Sequence, residues 1–200
     1  HPLIQDNSYQ KSYSNKSDFV GFFPGSRLSE VKKHLPIINE VIENMYNENK
    51  DQKFLISRSE NININIYKKY FVNKDYVSII SNDNIYKTID LCKVAVAASG
   101  TITLQIALKK VPLCVFYKLS QATYFLVKFL IKTKFISLIN IILGKKVVQE
   151  FIQSDASAEN IEKEIKKIIN DNEYRENLKN EISLVEIILE NNNAKIDMNE

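Results

Sequence analysis

AVAASGTIT, residues 95–103, passes from small and β-branched residues through Ser99 and Gly100 into helix-forming sequence at Thr101. Small and branched side chains without alternation suit a parallel strand buried on both faces. Gly100 admits a positive φ and lets backbone approach a ligand closely. Ser99 and Thr101 are short hydroxyl residues of the kind that cap helices. A strand turning this sharply into a helix leaves N–H groups unpaired, and the helix dipole adds positive potential to them. The turn therefore reads as an anion seat, suited to a diphosphate. An ordinary turn between a strand and a helix is the plain alternative, because serine and glycine are common there.

A second turn of this kind lies upstream. FVGFFP, residues 19–24, is a short apolar run that suits a first buried strand, and PGSRLSE follows it. Gly25 and Ser26 offer backbone donors, and the planar fork of Arg27 suits bidentate contact with a phosphate or carboxylate. Ser29 is placed to cap the next helix. Val31, Leu35, Ile38, Ile42 and Met45 form its apolar stripe, and Pro36 is expected to start a new turn or kink it. His34, beside that proline and without a catalytic partner in sequence, reads as a structural histidine.

Further strands are expected at 53–57 (KFLIS), 76–80 (YVSII), 93–97 and in VPLCVFY, residues 111–117. ENININIY, 60–67, alternates at period two and by pattern alone is a strand. IYKTIDLC reads as a short helix. Strands alternating with helices of about a dozen residues define an α/β fold with a doubly wound parallel sheet, Rossmann-like. Ligands of such sheets sit beyond the carboxyl ends of the strands, where both glycine turns fall. The expected organisation is a linker over 1–17, the α/β domain over 18–155, C-terminal helices over 156–190 and a frayed tail over 191–200.

The 200 residues hold 27 Lys and Arg against 24 Asp and Glu, too small an excess to argue for nucleic acid. The chain opens at His1 without an initiator methionine, which fits a processed product or a piece of something longer. Cys92 and Cys114 lie in apolar runs and read as buried reduced thiols; with no CxxC and no Cys/His cluster, no structural zinc site is expected. Asp83 stands without a paired acid. Lysines at 118, 128, 132 and 134 interrupt the apolar region 113–143, so no run reaches the ~18 residues of a spanning helix. TYFLVKFLIKTKF, 123–135, fits either a helix packed on the domain or an element meeting an anionic lipid surface. Asn140 is a lone amide in an apolar run and needs a partner if buried. Glu150 and Gln153 are one helical turn apart; such a pair suits a ribose or plain surface.

FFPGSRLSEVKKHLP, AVAASGTITLQIAL, VPLCVFYKLS and SLINIILGKKVVQEFIQ, in that order and spacing, resemble the C-terminal half of bacterial lipid-A-disaccharide synthases. The opening HPL resembles the segment where that family's chain enters its second domain. The resemblance implies a GT-B-type glycosyltransferase, inverting and without a metal cofactor. It joins UDP-2,3-diacylglucosamine to 2,3-diacylglucosamine 1-phosphate through a β-1,6 linkage in the lipid A part of lipopolysaccharide of Gram-negative bacteria. The implied location is cytoplasmic, peripheral on the inner face of the inner membrane. The C-terminal domain would hold the UDP; the acceptor site and general base would lie in an N-terminal domain or partner chain. Homodimerisation is left open. By position, Arg27 would neutralise the diphosphate, with Gly25, Ser26, Ser99, Gly100 and Thr101 as its cradle. Asn140 would belong to the catalytic edge, and Gln105, Glu150 and Gln153 would lie beside the nucleotide.

Three positions depart from the family's pattern. Gln105 replaces a usual glutamate, and Ile139 and Gln149 replace prolines. Gln105 keeps one acceptor for a ribose hydroxyl without charge, and Ile139 is expected to loosen the loop that aims Asn140. The resemblance also implies helix for residues 62–73, against the period-two pattern. The alternative reading is a relic or interaction module without UDP affinity that meets membrane or partner protein through residues 124–135. Related UDP-N-acetylglucosamine enzymes share the expected fold but fit the YK and LIN blocks poorly.

Overall fold

The computed structural model describes residues 18–118 and 134–197. The expected linker at 1–17, residues 119–133 of the aromatic and basic segment, and residues 198–200 lie outside the described residues. Six strands form one parallel sheet in the order β3-β2-β1-β4-β5-β6. They are β1 (Phe19–Phe23), β2 (Lys53–Arg58), β3 (Val77–Ser81), β4 (Cys92–Ala98), β5 (Leu113–Tyr117) and β6 (Glu150–Ile152). The described helices are α1 (Leu28–Glu48), α2 (Ile64–Phe71), α3 (Ile85–Asp90), α4 (Thr101–Leu108), α5 (Leu138–Leu143), α6 (Ala158–Asn170) and α7 (Asn172–Asp197).

The chain builds outward from β1 to β3, then returns to the far side of β1 with β4 and builds outward again. The reversal leaves a crevice between the carboxyl ends of β1 and β4. Their register sets Phe22 beside Val96 and Phe23 beside Ala97, so the two glycine turns leave the sheet side by side. From Val94 to Ala98 β4 is buried without interruption, the burial its composition requires. Gly21 makes room for it, since a Cβ there would lie 2.3 Å from the Cys92 sulfur. Cys92 and Cys114 are free and buried, and burial pushes the Cys92 thiol up to about 12.

Several local expectations are corrected. α1 runs unbroken through Pro36. That ring is exposed, while Val31, Leu35, Ile38, Ile42 and Met45 anchor both halves of the helix in the core. Residues 64–71 are helical, as the resemblance implied; the period-two pattern misleads because one of its asparagines, Asn63, caps the helix. Asn63 accepts from the Asn65 N–H, and Tyr67 and Phe71 pack the apolar side. β6 was not foreseen at all. α7 continues to Asp197, past the expected end at 190, because extending a formed helix avoids the nucleation cost. Asp83 is not alone: the neighbouring Glu60 carboxyl is pushed above its ordinary range by it, and its Oδ1 accepts from the Ser81 hydroxyl at 2.9 Å. Among the described residues no group of three metal-ligating side chains forms, and no helix is long and apolar enough to cross a membrane.

Candidate functional site

The crevice at the reversal is a cleft of about 360 Å3, lined from β1 by Phe23, Pro24, Gly25, Ser26, Arg27 and Glu30. From β4 come Ala98, Ser99, Gly100, Thr101, Ile102 and Gln105, with Ser57 from β2. Arg27 and Gly100 therefore face one space, on one rim of the sheet.

Gly25 adopts φ +103° and Gly100 φ +149°, both disfavoured for residues with a Cβ. A Cβ on Gly25 would also lie 2.8 Å from a Glu30 carboxylate oxygen. Ser29 is not the cap of α1; it sits inside the helix, and Arg27 occupies the N-cap position without a side-chain cap. Gly100 is likewise the N-cap of α4, again without a side-chain acceptor. The contrast with the other described helices is informative. Asn63, Asn84, Ser137 and Ser157 cap α2, α3, α5 and α6, and Asp171 accepts from the Tyr174 N–H in the first turn of α7. Among the described residues, the two α-helices left without a side-chain cap are the two that start at the cleft. Their first-turn amides are the kind of donors an anion satisfies.

Arg27 projects into solvent with 77% of its side chain exposed, and its Nη1 donates to Glu30 Oε1 at 3.0 Å. Glu30 also accepts from the Tyr117 hydroxyl at 2.7 Å, and burial together with that carboxylate pushes the Tyr117 phenol up to about 12. Beneath them His34 is fully buried. Its Nδ1 donates to the Pro24 carbonyl at 2.8 Å, and its Nε2 accepts from the Lys118 N–H at 3.1 Å.

Three predicted site residues lie away from the cleft lining. Asn140 is buried, and its amide is fully engaged: Oδ1 accepts from Val147 and Val148 N–H, and Nδ2 donates to the Val148 carbonyl and Glu150 Oε1. Ile139 does not loosen it, being itself fully buried in the first turn of α5. Glu150 starts β6 and accepts from the N–H groups of Ile136 and Ser137. Gln153 follows β6 in a turn at φ +54°, so the two residues share no helix face. Asn140 and Glu150 clasp the 136–150 loop. The clasp reaches the cleft through Ser99, whose hydroxyl donates to the Ile136 carbonyl at 2.7 Å. That hydroxyl proton is committed, which leaves Ser99 its backbone for any ligand.

Sequence reading missed Glu30, Ser57 and Tyr117, and read His34 as structural without finding its partners. Glu30 was detectable as the acid three residues after Arg27 on one helix, and Ser57 and Tyr117 as residues at the carboxyl ends of strands. The partners of His34 lie 10 and 84 residues away, beyond any local pattern.

A doubly wound sheet with an anion-friendly cleft at its reversal is the architecture of one domain of a GT-B protein. In solved structures it is similar, over 96% of this chain and 49% of the other, to the UDP-GlcNAc 2-epimerase from Neisseria meningitidis bound to UDP-GlcNAc (TM-score 0.60, 15% identity). TarM is similar over 90% of this chain and 35% of its own (TM-score 0.59, 15% identity). The family model for lipid-A-disaccharide synthetase matches residues 1–199. The lipid-A-disaccharide synthase of Geobacter sulfurreducens is 33% identical over 83% of this chain and 43% of its own length, and that of Coxiella burnetii 30% over 96% and 51%. The chain belongs to the lipid-A-disaccharide synthase family. It spans about half the length of the curated relatives it matches.

Proposed function

We propose that this chain is the donor-binding half of a lipid-A-disaccharide synthase and holds the UDP of UDP-2,3-diacylglucosamine in the cleft between β1 and β4. The observation that carries the reading is the convergence of Arg27 with two helix N-termini that no side chain caps. The diphosphate would sit over the Gly25–Ser26 and Gly100–Thr101 backbone, with Arg27 turning from Glu30 to a phosphate oxygen. As the glycosidic bond to UDP breaks, negative charge grows on the leaving oxygen, and these fixed donors stabilise it. Gln105, one turn into α4, is placed for the ribose as a neutral acceptor. The sugar would be received by 2,3-diacylglucosamine 1-phosphate, and the proposed site of the reaction is the cytosolic face of the inner membrane, where both lipid substrates would be met.

The chain alone would bind donor without transferring it, because acceptor and general base must be held against the sugar for the step to proceed. Calorimetry with UDP tests the binding. The chain is expected to bind, and Arg27→Ala to bind at least about tenfold more weakly, the loss of a charge-assisted contact. No binding by the wild type, or equal binding by both, rejects the reading.

A further inference from the structure

His34 lies outside the cleft yet ties the turn that lines it to the exit of the neighbouring strand β5. From α1 it reaches the carbonyl of Pro24, the residue before the Gly25–Arg27 turn, and the N–H of Lys118, just past β5. Its ring packs against Phe116 and Tyr117, with centroids 4.6 and 5.5 Å away. The partners settle its protonation. A carbonyl only accepts, so Nδ1 carries the hydrogen; an amide N–H only donates, so Nε2 is bare. A second proton on Nε2 would point at the Lys118 N–H and break that bond.

We infer that His34 is a positioning residue whose neutral form ties the Pro24–Arg27 turn to the end of β5, making nucleotide binding at this cleft sensitive to acid. The binding half of this inference rests on the UDP reading above; the tie itself does not. The charged and titratable groups facing the ring are Glu30 and Lys33 from α1 and Tyr117 and Lys118 from β5 and its exit, with Arg27 paired to Glu30. Glu30 favours the imidazolium, while Lys33 and Lys118 oppose it. Burial is the dominant influence and holds His34 below the ordinary histidine range. Tyr117 stays neutral across that range. Acid therefore acts through the ring, and its effect is mechanical: once Nε2 is protonated, the Pro24 carbonyl at the start of the first phosphate turn loses its tie to the Lys118 amide past β5.

The test uses the 200-residue chain, whose two histidines make the imidazole spectrum simple to assign. Nitrogen NMR at neutral pH should show His34 with Nε2 unprotonated. On acidification the amide resonances of Gly25, Ser26, Arg27 and Lys118 should shift with the same midpoint as the ring. UDP affinity, read by calorimetry, should fall by up to about tenfold per pH unit below that midpoint. UDP's own terminal phosphate takes up a proton near pH ~6. His34→Gln, which keeps an acceptor without titrating, reports that contribution alone and should show a shallower profile. The inference is overturned by an Nε2-protonated tautomer, by turn amides that ignore the ring, or by identical profiles for wild type and variant. If UDP does not bind at any pH, the nucleotide reading fails, and the ring and amide titrations alone decide the tie.

Discussion

Arg27 and Asn140 were both expected at the reacting centre, and their surroundings now separate them. Arg27 is exposed and held by one carboxylate, so it is free to exchange that partner for a ligand. Asn140 is buried, with four hydrogen bonds to a loop that needs them. Asn140→Ala strands two buried N–H groups and a carbonyl, and should cost about 3 kcal/mol, a drop in urea midpoint that checks it. Arg27→Ala should leave the midpoint unchanged while weakening UDP. If Asn140→Ala folds with wild-type stability, the clasp has no structural weight. His34 adds a pH term of definite sign. Its folded pKa lies below its unfolded value, so the unfolded chain binds more protons between the two. Stability is then complete above the ordinary histidine pKa and falls as pH drops from there toward the folded value. The slope is at most about 1.4 kcal/mol per pH unit. Urea melts of wild type and His34→Gln from pH 8 to 5 check it; the difference between them should grow only on the acid side.

At the scale of elements, what can be read from sequence depends on how local the cause is. β4 was legible because a strand buried on both faces must be small, branched and apolar, and VAVAA, residues 94–98, is. The two phosphate-type turns were legible because glycine at positive φ between strand and helix is a chemical requirement, visible in one short window. β6 was not, since three residues, EFI, carry no periodicity, and their pairing with β5 is settled by the clasp at Asn140 and Glu150. The same clasp explains where those two residues lie. Glu150 was read from its spacing to Gln153 and Asn140 from the resemblance, whereas the partners of both lie on a loop folded back across them. The space between β1 and β4 offers a clean check on packing. Gly21→Ala drives a methyl into the Cys92 sulfur and should destabilise by roughly 1–3 kcal/mol, read as a lower urea midpoint. Pairing it with Cys92→Ala should recover part of that loss, because the obstructing atom is then gone.

The whole molecule is a sheet that reverses once, and the reversal puts the amino ends of α1 and α4 side by side although their sequences are some seventy residues apart. That convergence could be anticipated from strand alternation, but the separation of cradle from clasp could not, because it is a property of the folded surface. It also makes ligand binding and folding measurable against each other. A ligand that binds only the native state raises stability by RT ln(1 + [L]/Kd), about 2.7 kcal/mol at a hundredfold excess over Kd. For a domain of this size each kcal/mol moves the melting midpoint by roughly 2–4 °C. UDP at that excess should therefore raise the midpoint by roughly 5–10 °C in the wild type. At the same UDP concentration Arg27→Ala should gain about half as much or less, its tenfold weaker affinity removing about 1.4 kcal/mol. Under the same conditions the chain should form no disaccharide from donor and acceptor, because the proposal puts the acceptor site and general base in the part of its relatives' length that these 200 residues do not span. Adding the first half of a relative as a separate chain should bring transfer back, and that recovery should vanish with Arg27→Ala. Turnover by the 200 residues alone would mean that they supply the acceptor site and base themselves, and the division of labour proposed for this fold would be wrong.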